Sequence, residues 1–177
     1  MKQKNSRTLE YIIAILCVAA GIFLDQWTKA LVVSHLKDQS PVVLIDQVLE
    51  FKYLENRGAA FGLFQNRQII FLIFSLVITV IVIWFYYRLP RGKRFLPLRI
   101  VSVLLVAGAI GNCIDRIRTG YVVDFIYFKL IDFPIFNVAD MYVTVAVFLL
   151  IILLIFYYKE EDLDQIFQSR KRRETAD

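Results

Sequence analysis

Ile69-Ile70-Phe71-Leu72-Ile73-Phe74-Ser75-Leu76-Val77-Ile78-Thr79-Val80-Ile81-Val82-Ile83-Trp84-Phe85-Tyr86-Tyr87 carries no charge, and Ser75 and Thr79 are its polar side chains. A hydrocarbon core about 30 Å thick is crossed by roughly 20 mostly apolar residues in a helix, so this stretch reads as a membrane span. Residues 138–158 match it with one charge, Asp140, near their start. Residues 98–117 follow Pro97, a residue suited to the first turn of a helix, and past Arg99 and Ser102 turn polar at Asn112. Residues 11–33 are also apolar, though interrupted by Asp25, Gln26 and Lys29.

The 11–33 segment also has the outline of a secretory signal peptide, with Lys2, Lys4 and Arg7 before an apolar run and Val18-Ala19-Ala20 as a cleavage-like site. Hydrophobicity resumes after Asp25 and three more spans follow, which favours a retained helix. The expected fold is therefore an all-α membrane protein with four transmembrane helices, at about 11–33, 69–87, 98–117 and 138–158. Residues 1–177 form one polytopic domain in this reading, because short connections join the spans. The 177-residue chain is 58% hydrophobic, beyond the usual soluble domain.

Lys and Arg counts set an expected orientation. Thirteen lie in the N-terminal tail, the 88–99 connection and the tail from Lys159, against seven in residues 34–68 and 115–139. The richer side is expected to be cytoplasmic, with both termini inside. Tyr11, Trp84, Tyr86, Tyr87, Tyr157 and Tyr158 then make an aromatic belt at the inner interface. On the outer side, Val42-Val43-Leu44-Ile45 and Leu49-Glu50-Phe51-Lys52-Tyr53-Leu54 read as strands. A small extracytoplasmic β-sheet is expected between helices 1 and 2, at about 40–63, with Gly58 and Gly62 allowing a tight turn or close backbone approach. The tail after Lys159 reads as a frayed, charged helix. The net charge of +5 is explained by topology and does not indicate nucleic-acid binding.

Several chemistries are disfavoured. His35 is the only histidine, against His-rich zinc sites and Ser-His catalysis. Cys17 and Cys113 read as buried thiols, and no HExxH, GxSxG, P-loop or Rossmann fingerprint is present. Ionisable groups within spans are functional candidates by default, and here they share one depth. Asp25 lies about 21 Å along its helix from Tyr11, at ~1.5 Å per residue. Lys29 follows it, the third span ends in Asn112-Cys113-Ile114-Asp115-Arg116, and the fourth begins Asn137-Val138-Ala139-Asp140. Asn56, Arg57 and Asp124 belong to the outer connections. Asn112-x-x-Asp115 and Asn137-x-x-Asp140 echo one another, and residues three apart share a helix face. Asp115 with Arg116 is equally well read as a helix-end ion pair. Asp124 and Asp140 sit among apolar neighbours with no adjacent base, where desolvation raises a carboxyl pKa. If the two meet, they can share a proton, one activating water while the other protonates a leaving group. An ion or proton pathway is the main alternative. It calls for polar groups through the full thickness, and the inner halves of the spans nearly lack them. A purely structural scaffold leaves the surroundings of Asp124 without a reason.

Five motifs resemble those of the bacterial lipoprotein signal peptidases, or type II signal peptidases, in family order from residue 25 to 140. They are Asp25-Gln26-Trp27-Thr28-Lys29, Glu55-Asn56-Arg57-Gly58-Ala59-Ala60-Phe61-Gly62, Gly111-Asn112-Cys113-Ile114-Asp115-Arg116, Val122-Val123-Asp124-Phe125 and Phe136-Asn137-Val138-Ala139-Asp140. The resemblance implies an aspartic endopeptidase of the bacterial cytoplasmic (inner) membrane. It would cut prolipoproteins just before a diacylglyceryl-modified cysteine, at the outer leaflet. Asp124 and Asp140 would be the catalytic dyad, with Asn112, Arg116 and Asn137 lining the site. Asp25, Lys29, Asn56, Arg57 and Asp115 would position substrate or support the fold. Implied partners are lipid-modified prolipoproteins, membrane lipids and globomycin-type inhibitors; no metal, organic cofactor or nucleic acid is implied. Ala146 departs from the family, which often has Gly after Thr-Val, and this bears on packing in the fourth helix.

Overall fold

A computed structural model describes residues 2–58 and 68–168. Gly62 and the 59–61 part of its motif lie outside the described residues. Among the described residues, four helices are long and apolar enough to cross a membrane: α1 (Lys2–Leu36), α2 (Gln68–Arg88), α3 (Leu96–Thr119) and α4 (Val138–Ile152). A π-helical turn, Leu153–Tyr157, extends α4 and closes where the Tyr158 N–H donates to Leu153 O at 2.8 Å.

α3 is the central helix. It packs against α1, α2 and α4, and 56% of its most apolar window is buried, against 0% for α2. The outer helices therefore turn apolar side chains such as Ile69, Phe148 and Phe156 outward. That distribution suits a bilayer, where apolar side chains face lipid and backbone bonds close within each helix. α3 and α4 approach closely at Gly108, where a Cβ would lie 2.5 Å from Ala139 O. Small residues permit such contacts between membrane helices. Ala146 is wholly enclosed in α4, within the cluster formed by Leu98, Val101 and Leu153. Cys113 is buried, whereas Cys17 is exposed on α1, contrary to the expected pair of buried thiols.

The sheet has three antiparallel strands in the order β1 (Val42–Ile45), β2 (Leu49–Asn56) and β3 (Val122–Phe128). β1 and β2 are the expected pair. β3 comes from the connection between α3 and α4, so the sheet joins both connections at that end. Gly120 makes this possible: at φ 75 it terminates α3, and its N–H donates to Arg116 O. The register sets Leu54 opposite Asp124 and Asn56 opposite Val122. Val123 and Phe125 pack with Val32 and Leu36, fastening the sheet to the end of α1.

At the opposite end, Tyr11 meets the rings of Tyr86 and Tyr87 at 6.1 and 6.4 Å. Tyr158 does not join an outward belt; it is buried and stacked on Phe95 at 5.9 Å. The tail is firmer than expected as far as α5 (Glu160–Gln168) goes. Ile166 is buried in the same core cluster as Phe95, and the Arg94 guanidinium bonds both Asp162 carboxylate oxygens at 3.2 and 2.7 Å.

Candidate active site

α4 begins with a reciprocal cap. Asn137 Oδ1 accepts from the Asp140 N–H at 2.9 Å, and Asp140 Oδ2 accepts from the Asn137 N–H at 3.2 Å. This satisfies two of the donors a helix start leaves open. A third goes to another helix: the Ala139 N–H donates to Asp25 Oδ1 at 2.9 Å. The α4 start is thereby tied to α1, and the Asp140 side chain is directed along its own first turn.

Asp124 reaches the same place from β3. Its Oδ1 accepts from Asn137 Nδ2 at 2.6 Å and its Oδ2 from Asn56 Nδ2 at 2.7 Å. Asn137 Nδ2 also lies 3.1 Å from Asn112 Oδ1, and Asn112 Nδ2 donates to Asp140 Oδ1 at 2.7 Å. Each amide has one orientation. An obligate donor occupies its oxygen: Gly58 N–H at Asn56, Asp140 N–H at Asn137 and the Lys29 ammonium at Asn112. The nitrogens must then face the carboxylates. Asp124 and Asp140 are thus joined through two shared amides, with each carboxylate oxygen accepting one hydrogen bond.

Asp124 is 1% exposed. Burial, and then the charge of Asp140, push its carboxyl up to about 7, while the Asn56 and Asn137 bonds pull the other way. Two carboxyls linked through shared amides are able to hold one proton between them.

Below the dyad lies an ion triad. Lys29 Nζ stands 2.9 Å from Asp25 Oδ2, 2.8 Å from Asp115 Oδ2 and 2.9 Å from Asn112 Oδ1. Asp115 consequently pairs with Lys29 and not with Arg116, so of the two even readings the helix-end pair gives way to an interhelical one. Gln26, a break in the first apolar segment, carried no assigned role in the sequence; its amide donates to Asp115 Oδ1 at 2.8 Å and to Gly111 O at 3.2 Å. Gly111 was likewise unassigned. A Cβ there would come 2.7 Å from Asp25 Oδ2, so glycine is what lets α1 deliver this carboxylate. The Ala107-x-x-x-Gly111 spacing, both residues facing α1, was the available signal for that approach.

Arg116 donates to Asn112 O at 3.3 Å and lies over the Phe71 ring, and its buried Nε has no hydrogen-bond partner among the described residues. Arg57 stays outside the cluster. It is exposed, bonds Glu55 at 3.1 Å and covers the Tyr121 ring; beside it the Glu55 carboxyl is held down to about 2. Asp124, Asp140, Asn56, Asn112, Asn137, Asp25, Lys29 and Asp115 are brought into one network. Among the described residues, no three His, Cys, Asp or Glu side chains form a group able to hold a metal ion.

The family model for signal peptidase (SPase) II matches residues 17–156. A lipoprotein signal peptidase of Caldanaerobacter subterraneus subsp. tengcongensis is 41% identical over 77% of this chain and 92% of that protein. One from Clostridioides difficile is 44% identical over 77% and 91%. A solved structure described as a bacterial membrane enzyme superposes with a TM-score of 0.71 at 33% identity, covering 84% of this chain and 92% of that one.

Proposed function

The chain belongs to the lipoprotein signal peptidase (signal peptidase II) family of membrane proteases, and we propose that it is an aspartic endopeptidase acting through Asp124 and Asp140. In this reading it releases the signal peptide of a prolipoprotein by cutting before a diacylglyceryl-modified cysteine. The observation that carries it is the amide bridge: two buried aspartates from different elements, β3 and α4, linked through Asn137 and Asn112.

The chemistry follows from one shared proton. The ionised carboxylate takes a proton from water as the oxygen attacks the scissile carbonyl carbon. The protonated partner gives its proton to the carbonyl oxygen. As the C–N bond breaks, the aspartate that took the proton of water passes it to the cysteine nitrogen, which leaves as a free amine; a hydroxyl of the tetrahedral intermediate returns its proton to the other aspartate, and the signal peptide is left with a new carboxyl group that ionises in water. The amides of Asn56, Asn112 and Asn137 stabilise whichever oxygens are charged, without being able to take the proton themselves. The unspent Nε–H of Arg116 is suited to a substrate carbonyl, since an orphaned buried donor in a native site calls for a partner.

We place the sheet and dyad at the outer leaflet of the cytoplasmic membrane, with both termini inside. The Lys and Arg bias of thirteen to seven supports this. The substrate's lipid would then hold its scissile bond at the depth of the aspartates, so that docking from the bilayer supplies proximity. The test is incubation of purified protein with a lipid-modified prolipoprotein, with and without globomycin, and mass spectrometry of the products. A fragment starting at the modified cysteine, suppressed by globomycin, is expected. An intact substrate, or a cut elsewhere, would refute the assignment.

A further inference from the structure

Lys29 is 3% exposed, and its ammonium has three N–H donors and three close acceptors: Asp25, Asp115 and Asn112. No donor is left over for a substrate, and a buried cation in so complete a cage has no obvious access to one. What the cage does reach is the backbone next to each site aspartate. Asp25, held by Lys29, accepts from the Ala139 N–H, one residue before Asp140. Asp115, held by Lys29 through the same oxygen, accepts from the Val123 N–H at 3.3 Å, one residue before Asp124. The third acceptor, Asn112, touches the Asp140 carboxylate directly.

We propose that Lys29 is a positioning residue: one ammonium, acting through Asp25, Asp115 and Asn112, sets the placement of Asp124 relative to Asp140. β3 and α4 are separate elements; backbone hydrogen bonds fix β3 against β2 and, through Phe136, against the segment that enters α4. Proton sharing depends on the mutual placement of two side chains that they carry, and a further tie, from the backbone beside each aspartate to α1 and α3, restricts that placement more than the Phe136 and Asn137 contacts alone. The triad supplies that tie, running from Val123 N–H through Asp115, Lys29 and Asp25 to Ala139 N–H. The carboxylates of Asp25 and Asp115 face backbone donors with one oxygen and the ammonium at or beside it, so losing Lys29 loosens both ends together. Gln26 reinforces the device by donating to Asp115 from the same face of α1.

This inference rests on the proposed peptidase activity, and the experiment keeps the two apart. Lys29→Met alone would leave Asp25 and Asp115 buried without a counter-charge and could fail to fold. The informative variant is therefore Lys29→Met with Asp115→Asn, which keeps the charge of the triad unchanged. Its companions are Asp115→Asn alone and Gln26→Leu. Each protein is purified in detergent, its folded fraction is fixed by size exclusion and thermal unfolding, and kcat and KM are measured on a lipid-modified prolipoprotein.

The expected result is a fall in kcat of up to about a hundredfold in the balanced double variant, the order of loss that misplaced reacting groups produce, with KM close to wild type. The triad works as a unit, so Asp115→Asn alone should already lose most of that rate and adding Lys29→Met should cost little more. A general structural role would instead lower the folded fraction and leave kcat per folded molecule intact. Wild-type kcat in the folded double variant would overturn the proposal. So would a rise in KM at constant kcat, which would make Lys29 a substrate-reading residue. Failure of the wild-type protein to cleave at all would count against the proposed function and not against the positioning role specifically.

Discussion

Asp124 and Asp140 carry the chemistry in this account, and they differ in how they are held. Asp140 is anchored by its own helix start, while Asp124 depends on two side-chain amides from β2 and from the start of α4. Asp124→Asn and Asp140→Asn should each lower the cleavage rate by at least about a hundredfold, with expression and membrane insertion unchanged. Asn preserves the shape but cannot exchange a proton, and at Asp124 its amide would also face two fixed donors. Near-normal turnover in either variant would remove that residue from the dyad. The pH dependence follows from burial. An Asp124 carboxyl pushed up to about 7 keeps its proton through the acidic range, is half ionised near neutrality and loses it as pH rises further. If the pair works with one proton, kcat/KM should decline on the alkaline side with a midpoint near 7, read from initial rates at constant ionic strength. A flat profile to pH 9 would contradict a shared proton.

Between residues and molecule, the site depends on how closely α3 meets α1 and α4. Gly108→Ala would set a methyl carbon 2.5 Å from Ala139 O and 2.8 Å from a Val143 methyl. Backbone cannot swing aside as a side chain can, so α4 must shift. The cost should be about 1–3 kcal/mol, measured by thermal unfolding in detergent, together with a slower kcat because Asp140 rides on that helix. An unchanged melting temperature would mean the helices are looser than described. This scale is also where sequence reading loses its grip. Hydropathy finds a span because lipid imposes one length and one polarity, and the four helices were legible for that reason. It carries no signal for rotation about the helix axis, and so Asp115 could equally face Arg116 or Lys29. β3 was missed because Val122-Val123-Asp124-Phe125-Ile126 is apolar on both faces, without the alternation that marks a half-exposed strand. The aspartates themselves stood out, since a carboxyl in an apolar run with no adjacent base has few structural uses.

For the whole molecule, orientation determines which leaflet the dyad serves. A reporter fused after Asp177 should be cytoplasmic and one inserted near Gln39 should be outside; an externally accessible C-terminus would move the site to the wrong leaflet. The bilayer is also part of the proposed substrate recognition. The apolar outer faces of α2 and α4 are open to lipid, and a substrate anchored by its own acyl chains arrives already confined to that plane. Burial of acyl chain is worth about 0.8 kcal/mol per CH₂, but a substrate already in the membrane gains only the part specific to the enzyme. The larger effect should be to hold the scissile bond at the depth of Asp124 and Asp140. The most direct measurement compares one prolipoprotein with and without the diacylglyceryl group on its cysteine, incubated in liposomes with the purified protein. Release of the signal peptide from the lipid-modified form alone, with no release by Asp124→Asn, is the predicted result. Equal rates for the two forms, or full cleavage by the variant, would contradict a lipid-dependent aspartic peptidase.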